Sequence, residues 1–186
     1  MVVNYAKDPD AAGSTGNFSQ AGGAPAANTA SIATDLYHHG TSALKKQITT
    51  ANQSGATVQT VNLTVSTQEI LAWSFWIYST RAGQIIPYAD AAKVSDSSYA
   101  GCTGSPSPVS IPANVWTKVA ATCTFSQDST SIRVGGYNLE VQPGDTLWFD
   151  EFMVTKGSVT SYADGNSSNW VWNGTPNSSS STGPAL

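Results

Sequence analysis

Charged side chains are scarce in this sequence. Of its 186 residues 11% are Asp, Glu, Lys or Arg, against roughly a quarter in an average globular protein, and the net charge is −4. The 8 basic residues form no cluster, which argues against nucleic acid and against an anionic membrane surface as partners. No apolar run approaches the roughly 18 residues that span a bilayer. Ser (25) and Thr (21) outnumber the charges, so hydroxyl groups hydrate much of the surface of what we expect to be one domain.

Residue sets that commonly perform catalysis are also missing. His38 and His39 are the only histidines, and neither accompanies a G-x-S-x-G motif or an activated cysteine, so we expect them to be polar loop residues. Two histidines and two distant cysteines lack the spacing of a zinc site. Asp150 and Glu151 are consecutive on a predicted strand and should point to opposite faces, which excludes them as the carboxylate pair of a glycoside hydrolase. We therefore expect a non-enzymatic protein.

The two cysteines leave two alternatives open. Cys102 lies in a glycine-flanked loop, whereas Cys123 lies in a strand-like run. A disulfide requires a fold that brings their Cα atoms within about 7 Å, and two free thiols are the alternative.

Alternating apolar and polar residues predict β-strands along most of the chain. From Val61 to Val65 the alternation is regular, and residues 70–78 are dense in β-branched and aromatic types. Turn-forming residues separate the candidate strands, which are 2–5, 43–49, 56–65, 70–78, 84–89, 115–125, 130–138 and 146–155. This pattern predicts an all-β fold, an antiparallel β-sandwich of the jelly-roll type with about eight to ten strands.

Two segments fall outside the strand pattern. Residues 8–31 are rich in Ala, Gly, Ser and Asn and are predicted to form a long loop of the domain at 1–162. Residues 163–186 are predicted to form an extended C-terminal tail. Because the tail contains Trp170 and Trp172, we expect it to pack on the domain or on a neighbouring molecule.

Aromatic residues are the main candidates for binding. Trp73 and Trp76 point to opposite faces of a predicted strand, so at least one of them belongs to the core. Tyr88, Tyr99 and Tyr137 lie near predicted loops and are the better candidates for contacts with a glycan, whose flat C–H faces stack on aromatic rings.

Asp150 interrupts the apolar run 147–154. A carboxylate in a central strand needs a hydrogen-bonding partner or a metal, and calcium accepts such oxygen ligands. The alternative is a hydrogen-bonded or edge-exposed Asp without a metal.

Four stretches resemble the carbohydrate-binding-module jelly rolls of the family 4/9 type: 42–45 (SALK), 73–79 (WSFWIYS), 109–119 (VSIPANVWTKV) and 144–151 (GDTLWFDE). The resemblance covers roughly residues 2–157. It implies a jelly roll with a structural calcium between the N-terminal segment and the last strand, where Asp150 matches the ligand position. No other cofactor is implied. The family's opening pattern Asn-Pro-Ser-Phe-Glu appears as Asp8-Pro9-Asp10-Ala11-Ala12.

The C-terminal stretches 162–165 (YADG), 172–178 (WNGTPNS) and 181–184 (STGP) resemble the closing motif of minor tail and other virion-surface proteins of phages that infect actinobacteria. This resemblance implies a phage virion structural protein, of the minor tail or head-decoration type, whose jelly roll binds host cell-wall polysaccharide. Its partners would be other virion proteins, with a homo-oligomer left open, and Phe18, Trp170 and Trp172 are the docking candidates. Residues 1–5 do not resemble a secretory signal, so we expect synthesis in the host cytoplasm and display on the virion. The alternative is a carbohydrate-binding module accessory to a secreted polysaccharide-degrading enzyme.

Overall fold

The computed structural model describes residues 1–11, 18–21, 28–49, 56–104, 106–139, 141–158 and 161–185. These residues form fourteen β-strands: β1 (Val2–Asn4), β2 (Phe18–Ala21), β3 (Asn28–Ala33), β4 (Ala43–Ile48), β5 (Ala56–Val61), β6 (Ile70–Ser79), β7 (Gly83–Lys93), β8 (Tyr99–Gly101), β9 (Val109–Ile111), β10 (Thr117–Thr124), β11 (Ser129–Leu139), β12 (Thr146–Lys156), β13 (Val171–Trp172) and β14 (Ser181–Gly183). No helix that could cross a membrane occurs in this described part of the chain.

Two antiparallel sheets pack face to face. The five-stranded sheet has the order β10-β6-β12-β4-β3, and the six-stranded sheet has the order β2-β5-β11-β7-β8, with β9 paired to β7 on the same edge as β8. Each of the eight strands expected from the alternation overlaps one of these strands. The predicted all-β jelly-roll sandwich is confirmed.

The core lies between the two sheets. Strand β6 lies between β10 and β12 in the five-stranded sheet and turns Trp73 and Phe75 inward, where both are buried. The side chains of Trp76 and Tyr78, further along the strand, lie on the outer face and are half-buried. The indole N–H of Trp73 donates a hydrogen bond of 3.2 Å to the carbonyl of Gly135 in the opposite sheet. The five-stranded sheet therefore turns one face toward the core and the other away from it.

A β-bulge interrupts strand β12. The register against β6 shifts between Asp150 and Met153, and Glu151 has a φ of 52°. Because of the extra residue, Phe149 and Phe152 both enter the core although three positions separate them. The bulge also places Asp150 and Glu151 on the same outer face, so the expectation that they point to opposite faces is wrong.

The prediction of a continuous loop over residues 8–31 is also wrong. Strands β2 and β3 lie in this segment, with β2 paired to β5 and β3 paired to β4. Both are edge strands with mostly small or polar residues, and each has one large apolar side chain, Phe18 or Ile32, that packs against the core. Residues 12–17 and 22–27 of the predicted loop lie outside the described residues.

The segment predicted as an extended tail contains strands β13 and β14. Strand β14 pairs with both β1 and β13 in a small three-stranded sheet. This sheet packs on β12 around Met153, Ala163 and Trp170, with Val2 and Tyr162 at the margin of the cluster. Residues 163–185 thus pack on the chain's own domain.

A disulfide joins Cys102 to Cys123, with 5.8 Å between the Cα atoms. Cys102 directly follows β8 of the six-stranded sheet, and Cys123 lies on β10 of the five-stranded sheet. Of the two alternatives left open by the sequence, the structure has the disulfide, and it ties the two sheets together at one edge.

Candidate functional site

The three tyrosines predicted to contact a glycan lie together on the outer face of the six-stranded sheet. Ile85 and Ala89 of strand β7 point into the core, so Tyr88 between them points outward. Tyr137 lies outward on the neighbouring strand β11, and Tyr99 begins strand β8 on the other side of β7. Three neighbouring strands therefore present one tyrosine each.

Tyr88 and Tyr137 contact one another. Their ring centroids are 6.1 Å apart and their planes make an angle of 75°, an edge-to-face arrangement that aromatic pairs prefer. Both side chains are half-buried, whereas Tyr99 is 53% exposed. The rings are held by their neighbours and still present surface to a ligand.

A groove of about 350 Å³ runs beside these rings, a volume within the range of binding sites for small ligands. It is lined by Ile86, Pro87, Tyr88, Ala89 and Tyr137 from the strands and by Gly101, Cys102, Pro106 and Pro108 from the connection after β8. The disulfide therefore holds one wall of the groove.

Polar groups next to the tyrosines form a closed network. Arg133 donates from Nε to Oδ1 of Asp90 at 2.6 Å and from Nη2 to Oδ2. The hydroxyl of Tyr88 donates to Oδ2 of the same carboxylate at 2.5 Å. The guanidinium carbon of Arg133 lies 4.1 Å from the ring centroid of Tyr99. Arg133 and Asp90 were not among the residues predicted from the sequence.

The protonation of Tyr88 follows from this network. Burial, together with the hydrogen bond to Asp90, raises the pKa of Tyr88 to about 12, so the hydroxyl stays protonated. Its proton is donated to Asp90 and its oxygen also interacts with Arg133, so this hydroxyl is part of the network.

The outer face of the five-stranded sheet carries a second aromatic cluster. Trp116 and Trp148 lie on either side of Tyr78, with centroid distances of 5.6 and 5.5 Å to its ring. The imidazole of His38 stacks on Trp76 at 3.9 Å with an angle of 17°. Because His38 already covers Trp76 and Trp148 is buried, this cluster packs beneath the connection between β3 and β4 and is not an open platform.

Asp150, the residue matched to a calcium ligand, binds backbone amides of the protein. Its Oδ2 accepts hydrogen bonds from the backbone N–H groups of His38 (2.7 Å) and His39 (2.9 Å). Its Oδ1 accepts one from the N–H of Glu151 (2.7 Å), and Oε1 of Glu151 lies 3.0 Å from Nδ1 of His38. Burial raises the pKa of Asp150 to about 7, although these amides lower it.

Asp10 lies close to the same region and is also engaged by the protein. Its carboxylate accepts a hydrogen bond from the hydroxyl of Tyr162 and lies 3.4 Å from Nδ1 of His39. Burial raises the pKa of Asp10 and raises that of Tyr162 well above its ordinary value. In the described residues no group of three or more His, Cys, Asp or Glu side chains could hold a metal ion. Hydrogen-bond donors point at the oxygens that a calcium ion would need, so these residues do not fit a calcium site.

The three docking candidates contact other parts of the chain. The ring of Phe18 lies 5.2 Å from that of Phe152. Trp170 is 5% exposed, and Trp172 packs against Gly165, where a side chain would leave no room for it. Their role in docking to a particle stays a prediction.

No family model matches the chain, and no curated protein matches it. Solved structures of low sequence identity share its fold. The CBM22-1 xylan-binding domain of Xyn10C from Paenibacillus barcinonensis superimposes with a TM-score of 0.59 at 12% identity, covering 86% of this chain and 97% of that one. The C-terminal family 22 carbohydrate-binding module of Xyn10B from Clostridium thermocellum gives 0.61 at 13% identity, covering 82% and 94%. A family 16 carbohydrate-binding module gives 0.52 at 12% identity, covering 81% and 99%. The chain thus has the jelly-roll fold of carbohydrate-binding modules.

Proposed function

We propose that the chain is a non-catalytic glycan-binding module that holds a polysaccharide against the outer face of its six-stranded sheet. The observation that carries the proposal is that Tyr88 and Tyr137 line one groove, with Tyr99 on the next strand of the same face. Sugar rings stack their C–H faces on aromatic side chains, and their hydroxyl groups bond to nearby polar groups. The face supplies both kinds of contact.

The structural neighbours indicate which glycan to test first. Three of them are xylan-binding domains by name, and another is a family 22 module of Xyn10B, which is a xylanase. A shared fold does not by itself transfer a ligand. Xylan is therefore the first member of a panel of soluble β-glycans rather than an assigned ligand.

Between the two settings inferred from the sequence, the accessory module of a secreted polysaccharide-degrading enzyme has the better support. Disulfides such as Cys102–Cys123 form and persist mainly in oxidising compartments. A neighbour covering 88% of this chain belongs to a structure that joins such a module to a xylanase. The virion setting, with virion proteins as partners, rests on the C-terminal resemblance alone. Mass spectrometry of purified phage particles would test it, and absence of the chain from them would exclude it.

Affinity electrophoresis in gels that contain soluble xylan, mixed-linkage β-glucan or glucomannan tests the binding proposal. We expect the wild-type chain to be retarded by at least one glycan. Tyr137→Ala should weaken that affinity about tenfold, the effect of losing roughly 1.4 kcal/mol from an aromatic contact. The matched control is Tyr37→Ala, because Tyr37 is 44% exposed and lies in the connection between β3 and β4, on the other sheet.

Two results would contradict the proposal. One is a wild-type chain that no glycan in the panel retards. The other is equal retardation of the wild type and of variants at all three tyrosines, with unchanged melting temperatures.

A further inference from the structure

We propose that Asp90 sets the charge selectivity of the tyrosine face, the outer face of the six-stranded sheet that carries Tyr88, Tyr99 and Tyr137. By neutralising Arg133, Asp90 excludes acidic polysaccharides and restricts this face to uncharged glycans. The part about uncharged glycans rests on the proposed function, whereas the exclusion of acidic chains can be tested without it.

The guanidinium of Arg133 is fully paired along one edge. Nε and Nη2 donate to the two oxygens of Asp90, which is the bidentate arrangement in which arginine recognises carboxylates. A uronic acid residue of a polysaccharide would offer the same planar carboxylate. Asp90 therefore occupies the position that a uronate would take on this arginine.

Asp90 lies deeper than Arg133 and neutralises its charge from below. We call this arrangement the charge mask. The side chain of Asp90 is 6% exposed, and that of Arg133 is 25% exposed. The positive group thus lies nearer to solvent, with its counter-charge beneath it. Removal of the charge on Asp90 would leave a guanidinium that a ligand can reach.

Two further contacts keep Arg133 in this arrangement. The ring of Tyr99 lies against the guanidinium, and the hydroxyl of Tyr88 donates to Asp90. Both tyrosines belong to the proposed glycan face, so the pair lies within that face. An arginine held in this way is not free to turn toward an anionic ligand.

The first test compares Asp90→Asn with the wild-type chain on immobilised polygalacturonate. At about 20 mM salt we expect about tenfold stronger retention of Asp90→Asn, and near equality at about 300 mM, because salt screens exposed charges. The matched control is Asp35→Asn. It makes the same change in net charge and frees Lys45, whose Nζ lies 2.8 Å from Asp35, in the connection after β3 of the other sheet. The control should not be retained.

The second test makes the opposite change. Arg133→Gln leaves the Asp90 carboxylate without its counter-charge, so this variant should gain retention on chitosan, a polycation, at low salt. Circular dichroism and melting temperatures establish which variants are folded. If Asp90→Asn does not fold, the chitosan result with Arg133→Gln decides the question.

The outcomes separate the two proposals. Gained retention of the two variants supports the charge mask even if no neutral glycan binds, in which case only the proposed function fails. The charge mask is overturned if the wild type is itself retained on polygalacturonate. It is also overturned if folded Asp90→Asn is retained on polygalacturonate no more strongly than the wild type, or if Asp35→Asn gains as much retention. A third contrary result is that Arg133→Gln is not retained on chitosan more strongly than the wild type.

Discussion

Tyr88 pairs with Gly135 across strands β7 and β11, and this register places its ring edge to face with that of Tyr137. On β11, Gly136 lies between Gly135 and Tyr137 and faces the core. A Cβ atom on Gly136 would lie 2.8 Å from Cδ1 of Ile85. Because Gly136 has no side chain, β11 can lie close to the core, and this position of β11 helps to place Tyr137 beside Tyr88.

Gly136→Ala should destabilise the fold and disturb the tyrosine pair. The added methyl would also meet Cζ of Phe75 at 3.0 Å, and such overpacking costs about 1–3 kcal/mol. Urea unfolding measures the loss. Gly101→Ala is the control, since its Cβ would have no neighbour within 4 Å. Equal stability of Gly136→Ala and the control would show that β11 does not approach the core as closely as described.

Loss of the disulfide should reduce both stability and glycan binding. The bond closes a loop with a sequence separation of 21, for which chain entropy predicts about 3 kcal/mol of stabilisation. It also holds Cys102 in the groove wall. We expect the double variant Cys102→Ser/Cys123→Ala to melt at a lower temperature and to bind glycan more weakly.

The measurement compares wild-type chain with and without dithiothreitol. The double variant is the control, because a reductant should not change it. An unchanged melting temperature of the reduced wild type would contradict this prediction.

The ionisation of Asp150 should make stability fall as pH rises. Its pKa is about 7 in the folded chain against an ordinary value of 3.8, so the folded state binds more protons than the unfolded state between these values. The stabilisation from this group is therefore complete below about pH 4 and lost as the pH rises through about 7. Asp150→Asn cannot ionise and lacks this component. The unfolding free energy of the wild type minus that of Asp150→Asn should be larger at about pH 5 than at about pH 8.

Asp96 provides the control for this experiment. The hydrogen bonds from Ser98 lower the pKa of this exposed carboxyl. It is therefore ionised in both states throughout the range, and Asp96→Asn should differ from the wild type by the same amount at both pH values. A difference for Asp150→Asn that is constant, or that grows toward pH 8, would refute the raised pKa.

Trp170→Ala should destabilise the whole domain. Trp170 is buried against Met153 of the five-stranded sheet, and truncation of a buried tryptophan costs about 3–5 kcal/mol. If residues 163–185 were an independent tail, the substitution would leave the main unfolding transition unchanged. Differential scanning calorimetry distinguishes these results. Val171→Ala is the control, since Val171 is 62% exposed.

A chelator should leave the melting temperature unchanged. The Asp150 carboxylate accepts three backbone N–H groups, and two of them, from His38 and His39, hold the connection between β3 and β4. We expect the same melting curve in calcium and in EDTA. A lower melting temperature in EDTA would restore the calcium site implied by the sequence resemblance.

The sequence predicts the central strands because burial sets their pattern. In β6 the inward and outward side chains alternate without interruption, so Trp73 and Trp76 were correctly placed on opposite faces. Strands β2 and β3 escape such a prediction because edge strands depend on backbone pairing and carry little apolar surface. Their composition alone therefore predicts a loop.

The sequence identifies the tyrosines of this face but does not predict that they lie together. Tyr88, Tyr99 and Tyr137 were identified from their types and their positions near loops. Their convergence depends on the pairing of β7 with both β11 and β8, which local sequence does not specify. Arg133 and Asp90 were missed for the same reason. Their ion pair joins residues 43 positions apart that only the β7–β11 register brings together.

The bulge at Glu151 changes the parity of strand β12. Before it the core-facing residues Leu147 and Phe149 have odd numbers, and after it Phe152 and Val154 have even numbers. A strict period of two would assign one half of this strand to the wrong face. The same single extra residue gives the connection between β3 and β4 two adjacent carboxylates, where a regular strand could offer it only every second side chain.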